Sequence, residues 1–169
     1  DESMDLLAAA VPVRVVEWYQ KLIRMVGWKL SAMAPASSAI SNLIMSDREK
    51  QDVRRSSCCV MDCGRRGVRL YFYQKGLLFA KRGLEFCDTE ERLLFELEKI
   101  WDYYQTCYPG YIPELIYVTG GKRNPLLEAA ITERLEAECC DWTKLLDNSQ
   151  EPVRGLISAE AAGITFWKG

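Results

Sequence analysis

The sequence predicts an α/β protein built on one mixed sheet, in which an antiparallel meander is continued by parallel strands. Three observations carry that prediction. Residues 57–81 hold three short apolar or alternating runs separated only by turns. From residue 88 onward helical and strand-like periods alternate, the pattern of β-α-β crossovers. An apolar run at 115–119 stops at Gly120-Gly121 just before a helix start.

The elements follow in chain order. Residues 5–11 (DLLAAAV) read as a buried strand, short and almost wholly apolar. After Pro12, the spacing of Val15, Val16, Tyr19, Leu22, Ile23 and Val26 is helical, and Gly27 is a C-terminal stop. Residues 28–34 are expected as a second strand and 35–45 as a short helix with Ile40, Leu43 and Ile44 on one side. Residues 46–56 (SDREKQDVRRS) form the most polar stretch, an exposed crossover whose charges nearly cancel. Residues 58–62 are an apolar strand. Residues 68–73 alternate with period two, Gln74-Lys75-Gly76 is a hairpin turn, and 77–81 return as a third strand. Asp88 is expected to cap a long helix with Glu91 as its capping-box partner, and Pro109-Gly110 to end it. That helix carries Leu93, Leu94, Leu97, Ile100, Trp101 and Tyr104 on one face. After the strand at 115–119, Asn124-Pro125 starts a helix with proline at its first position, burying Leu126, Leu127, Ala130, Ile131 and Leu135. Residues 138–145 read as a fifth strand and 158–167 as a closing helix.

Residues 57–169 therefore run βββαβαβα, the order of the ribonuclease-H-like unit, and 5–45 run βαβα, the tail of another such unit. Two units in tandem are the plan of the actin-like ATPase fold. The expected organisation is 1–46 as the end of a first actin-like subdomain, 47–56 as a polar connection and 57–169 as a second subdomain. The first piece lacks its own meander, so its sheet is expected to have an unpaired edge, which invites a homodimer or strand-swapped arrangement.

Composition narrows the function classes. The 169 residues are 49% hydrophobic and 27% charged with a net charge of −2, a balance unlike the basic excess of nucleic-acid binders. No apolar run approaches the ~18–20 residues that span a bilayer, and the acidic start at Asp1–Asp5 lacks the basic flank of a signal peptide. The seven cysteines (Cys58, Cys59, Cys63, Cys87, Cys107, Cys139 and Cys140) are odd in number and lie partly in apolar strands, so they read as reduced core thiols in the cytosol. A zinc site would want CxxC or histidine spacing, and the chain has neither a CxxC pair nor any histidine. The lack of histidine also removes Ser-His-Asp and Cys-His pairs from this chain.

Two turns can carry chemistry. In Val60-Met61-Asp62-Cys63-Gly64-Arg65-Arg66-Gly67-Val68 an acidic residue ends a strand before a glycine-rich hairpin, an arrangement able to hold a metal-bound phosphate. It is equally a plain β-turn whose glycines meet the turn geometry. In Thr119-Gly120-Gly121-Lys122-Arg123-Asn124 a buried strand stops at two glycines before a helix N-terminus, so a flat ring or a phosphate can approach the backbone. The bland counterpart is a strand-to-helix connection in which the glycines relieve crowding.

In this order the two turns, with CVMDCG…GVRLYFYQKGLLFAKR, the helix ending WDYYQ, PELIYVTGG…NPLLEAAITERL and AEAAGITF, resemble the actin-like pilus-assembly ATPases called PilM. The segment DLLAAAVPVRVVEWYQKLIRMVGWKLSAMAPASSAISNL is similar to the stretch before the family's second half. The resemblance covers most of the chain, but only about the C-terminal half of a family member. It implies that Gly120 and Gly121 lie beside the adenosine of ATP, with Lys122 a further candidate for nucleotide binding. It also implies that Asp62, Gly64, Arg65, Arg66 and Gly67 form the second phosphate loop, with Mg. The implied partners are the cytosolic tail of an inner-membrane pilus assembly protein and other pilus machinery, at the cytoplasmic face of the membrane. The sequence departs from the family in two ways. Arg65 and Arg66 stand where the phosphate loop usually carries small hydroxyl residues, and the first phosphate loop and partner-binding subdomain have no counterpart.

The expected function is thus a non-enzymatic assembly module of a type IV pilus or related secretion machine, with weak or lost nucleotide binding. The alternative is the nucleotide-binding half of an actin-like ATPase or small-molecule kinase. A ribonuclease-H-like nuclease would need several converging carboxylates at strand ends, and Asp62 stands nearly alone in the sequence pattern.

Overall fold

A computed structural model of the chain describes residues 10–30, 33–46, 57–85, 89–110 and 113–145. Residues 5–9 of the expected strand over 5–11, the cap at Asp88, the crossover at 47–56 and the closing helix over 158–167 lie outside the described residues, and residues 10 and 11 are not in a strand. By contacts the chain divides into two units, 1–35 and 36–169.

In the first unit, helix α1 (Val13–Met25) begins after Pro12, and Gly27, at φ +77°, turns the chain out of it. The expected strand over 28–34 is not found among the described residues: Trp28 is 70% exposed, and residues 28–30 and 33–34 join no ladder. An apolar run becomes a strand only where a neighbouring strand satisfies its backbone groups.

The second unit opens with α2 (Ala36–Ser46), a helix inside the expected 1–46 segment. Its buried Ile40, Leu43 and Ile44 pack on the sheet of the second unit. That sheet holds β1 (Cys58–Cys63), β2 (Gly67–Gln74), β3 (Leu77–Glu85), β4 (Leu115–Thr119) and β5 (Glu138–Asp141) in the order β3-β2-β1-β4-β5. The β1–β2 and β2–β3 pairs are antiparallel, and β1–β4 and β4–β5 are parallel. This is the expected meander and crossover order. Lys75 and Gly76 both have positive φ, 50° and 77°, as a two-residue hairpin of type I′ requires.

Period two along the strands divides the core between the two faces. Cys59, Met61, Val68, Leu70, Phe72, Ile116 and Val118 face α3 (Glu90–Cys107) and α4 (Pro125–Leu135), while Cys58, Val60, Tyr71, Tyr73 and Tyr117 face α2. Helix α3 is capped by Thr89, whose hydroxyl accepts from the Arg92 amide at 3.3 Å. Arg92 therefore occupies the third helical position, and Glu91 does not complete a capping box. Asn124 caps α4 through the Leu126 amide (3.0 Å), with Pro125 at the first position as expected. Leu126, expected inside, is 76% exposed, because the second helical position faces away from the sheet while Leu127, Ile131 and Leu135 turn toward it. β5 is also shorter than expected. The Asp141 carboxylate accepts from the Thr143 amide (2.8 Å) and hydroxyl (2.6 Å), turning the backbone into a 3₁₀ helix at Trp142–Leu145.

Candidate functional site at the strand ends

The two turns singled out from sequence meet at one end of the sheet. Asp62 is the last core-facing residue of β1 on the α2 side, only 3% exposed. The ladder sets it opposite Arg69 of β2 on one side and Thr119 of β4 on the other. Arg69 donates from its guanidinium to the Asp62 carboxylate, so the one acidic group of the hairpin is held by a residue of the same hairpin. The turn between them is closed by the Gly64 amide donating to the Gly67 carbonyl at 3.0 Å. A side chain at Gly67 would collide with the Leu84 carbonyl of β3, which explains the glycine without any ligand.

The β4–α4 loop lies against the end of β1. Gly120 has φ +95°, and a Cβ there would lie 2.5 Å from the Cys63 carbonyl and 2.7 Å from Asp62 Oδ1. Left-handed geometry and close approach both require glycine at this position. The Lys122 amide then donates to the Cys63 carbonyl at 3.1 Å. Gly121 differs from its neighbour, since a Cβ there meets nothing within 4 Å.

Arg123 fixes the loop to its surroundings. Its Nε and Nη2 donate to the two oxygens of Glu128 at 3.0 and 3.1 Å, and its Nη1 pairs with Asp141 at the end of β5. The bonds to Glu128 lead in raising the Arg123 pKa, against the opposing effect of burial. Burial pushes Asp141 upward, but its bonds from Thr143 and Arg123 outweigh it and hold the carboxyl below its usual range. Cys63 is pushed up to about 12, chiefly by burial and next by the Asp62 charge, so it remains a thiol. Asn124 Nδ2 adds a bond to Glu90 at 2.7 Å, tying the loop to the first turn of α3.

The structure thus brings Asp62, Gly64, Gly120 and Lys122 together and leaves Arg65, Arg66 and Lys122 with exposed side chains. Arg65, Arg66 and Gly67 line the β3 side of the hairpin, along an open concavity of about 600 Å³ that reaches Gly83–Glu85. Sequence reasoning missed Arg69, Arg123, Glu128 and Asp141. A signal existed for Arg69: a four-residue turn over 64–67 pairs Cys63 with Val68 and so Asp62 with Arg69. No spacing rule joins Arg123 to Asp141, which meet only because β4 and β5 are parallel neighbours.

As a nucleotide site the two sides differ in fit. The open backbone at Gly121 leaves room for a nucleoside, while the α4 N-terminus offers an anion little, since Pro125 has no N–H and the Leu126 and Glu128 amides donate to Asn124. The metal side fits less well: one oxygen of the Asp62 carboxylate accepts from Arg69, and no set of further ligands converges there among the described residues. Among the described residues no group of three His, Cys, Asp or Glu side chains is placed to hold a metal ion.

No protein-family model matches the chain, and no curated protein matches its sequence. Solved structures do match in shape. The PilM-PilN type IV pilus biogenesis complex superposes with a TM-score of 0.62 at 14% identity, over 89% of this chain and 56% of that one. The ethanolamine utilization protein EutJ from Carboxydothermus hydrogenoformans gives 0.58 at 14% identity, over 95% and 63%. The chain has the actin-like ATPase fold and spans under two thirds of the length of these neighbours.

Proposed function

We propose that this chain is a non-hydrolytic assembly module of PilM type, working by binding within a type IV pilus or related secretion machine. The observation that carries this reading is the internal pairing of the carboxylates at the strand ends. Asp62 is held by Arg69, and Glu128 and Asp141 are held by Arg123. A general base or a magnesium ligand is a carboxylate turned toward the substrate; both oxygens of Glu128 and of Asp141, and one oxygen of Asp62, accept instead from groups of the fold. The similarity in shape to the PilM-PilN complex supports the pilus setting, with the cytosolic tail of an inner-membrane assembly protein as partner and the cytoplasmic face of the membrane as location. Among the described residues no helix is long and apolar enough to cross a membrane, in keeping with attachment through a partner.

Nucleotide enters this reading as a weak ligand. The groups left to ATP are the Gly121 backbone, the Lys122 side chain and the hairpin arginines Arg65 and Arg66. All are phosphate or ring contacts, and none holds a metal. Calorimetric titration with ATP, with and without magnesium, tests the proposal. The expected result is millimolar or absent binding that magnesium does not strengthen, and no phosphate release. Micromolar, magnesium-dependent binding with turnover would instead establish the nucleotide-binding half of an ATPase or kinase.

A further inference from the structure

We propose that the outer edge of β3 is a docking strand for an extended acidic segment of a partner protein, added to the sheet as a sixth strand. The proposal does not depend on nucleotide binding or on the pilus setting.

β3 is the outermost strand of the sheet, nine residues long, and its residues 81–83 are exposed. The Lys81 carbonyl accepts from the side chain of Arg82 at 3.2 Å, a local partner where an inner strand would offer a ladder amide. An edge of this length is a template for another chain unless it is blocked by proline, a short length or a cover. Among the described residues β3 has neither proline nor a neighbouring strand on its outer side.

Gly83 is the second observation. Its backbone is not left-handed, and a Cβ there would meet nothing within 4 Å. Neither the turn geometry nor the packing of this fold requires glycine, which weakens a strand. In sheets such a bare edge position is covered by a large side chain from the neighbouring strand. Here the space opens into the concavity that Arg65, Arg66 and Arg69 line. One large side chain of an added strand can lie over Gly83 with its neighbours near the arginines.

Charge selects the occupant. Among the described residues the charged groups along this edge are Arg65, Arg66, Arg69, Lys81, Arg82 and Lys99, against Glu85 and Glu96, on a chain whose net charge is −2. Arg82 lies over the rings of Tyr103 and Tyr104, each 5.9 Å away, and with Lys99, Ile100 and Tyr103 it lines a small second hollow beside the strand. The Lys99–Glu96 pair (3.0 Å) is exposed, so a partner carboxylate can compete for the ammonium at little cost. Tyr103, 48% exposed, offers an aromatic anchor next to the cations. A second copy of this chain is a poor occupant. Antiparallel pairing of two β3 edges about residues 81–83 would set Arg82 directly against Arg82 of the other copy, with each Lys81 opposite a Gly83. An acidic segment has complementary charge, main-chain pairing and a place for one large side chain.

The test uses the full chain and labelled peptides of about ten residues. One alternates glutamate with valine around a central phenylalanine, one replaces that phenylalanine with alanine, and one replaces each glutamate with lysine. The expected result is binding of the acidic phenylalanine peptide about tenfold tighter than the alanine peptide, no binding of the lysine peptide, and slowed amide exchange over residues 78–84. Arg82→Glu combined with Lys99→Glu should weaken the acidic peptide about tenfold. Gly83→Val, whose added Cβ meets nothing within 4 Å, should keep its thermal midpoint and lose the preference for phenylalanine. Equal binding of the lysine peptide, protection elsewhere on the chain, no effect of the charge reversal, or no binding up to millimolar peptide would each overturn the proposal. So would a dimer in sedimentation that protects the same amides.

Discussion

The two loops at the strand ends are neighbours in space and opposites in construction. The β4–α4 loop is fixed at nearly every residue: Gly120 is pressed against β1, the Lys122 amide is bonded to Cys63, Arg123 joins α4 to β5, and Asn124 caps α4 and reaches α3. The β1–β2 hairpin is fixed at its base by Asp62–Arg69 and one turn hydrogen bond, while Arg65 and Arg66 at its tip are exposed. One loop is framework whose glycine is demanded by the fold. The other places charge in solvent, where the fold gains nothing from it. A glycine-rich turn is therefore not a ligand site on glycine alone; what distinguishes the cases is whether its own chain already fills the space.

Substitutions in the fixed loop should produce the largest effects. Gly120→Ala forces a Cβ into the Cys63 carbonyl at a left-handed backbone position. Strain and overpacking together predict a loss of about 3–4 kcal/mol, read in a urea or thermal melt. An alanine variant that melts with the native protein would mean the loop yields, and that the glycine serves a ligand after all.

Arg123→Ala comes next. It removes three charge-assisted bonds and leaves Glu128, a mostly buried carboxylate, without its guanidinium. The expected cost is about 2–3 kcal/mol, a fall of roughly 5–10 °C in Tm. The difference also has a pH signature. Asp141 is held below its usual range, so its contribution is present above the unfolded aspartate value near about 3.9 and disappears as the pH falls through the lowered native value. Wild type and variant should converge in acid; a gap that persists there would assign the loss to packing.

At the base of the hairpin a smaller effect is expected. Asp62→Asn keeps the shape and hydrogen-bonding capacity and removes the charge facing Arg69, whose side chain is half exposed and can be rehydrated. The expected cost is about 1–2 kcal/mol. If Asp62 instead served a magnesium-bound phosphate, the same change would abolish magnesium-dependent ATP binding while barely altering the melt.

Much of this contrast was legible in the sequence. Period two, the Lys75-Gly76 turn and the Asn124-Pro125 start located the meander and α4, because each depends on neighbouring residues. Residues 28–30 and 33–34 of the expected strand over 28–34 join no ladder among the described residues: a strand needs a neighbour as well as an apolar run, and composition does not report one. Asp141 shows the same limit at the level of one residue. It falls inside the expected strand over 138–145, while its bonds to Thr143 end that strand and its pair with Arg123 crosses 18 positions. Pairings set by hairpin register can be worked out from sequence, but those set by crossover packing cannot.

The smallest effect on stability tests the open loop directly. Arg65 and Arg66 are exposed, and among the described residues neither has an ion-pair partner. Replacing both with alanine should alter stability by no more than about 0.5 kcal/mol, as for surface positions generally. Two neighbouring cations at the tip of a tight turn also repel, so the sign can favour the variant. Any loss should therefore appear in binding and not in melting. If the arginines serve only the nucleotide cleft, the double variant weakens ATP and leaves the acidic peptide unaffected. If they flank the β3 edge, it weakens the peptide and leaves ATP as it was. A large fall in Tm would contradict the comparison itself, because the hairpin tip would then be framework like the loop beside it.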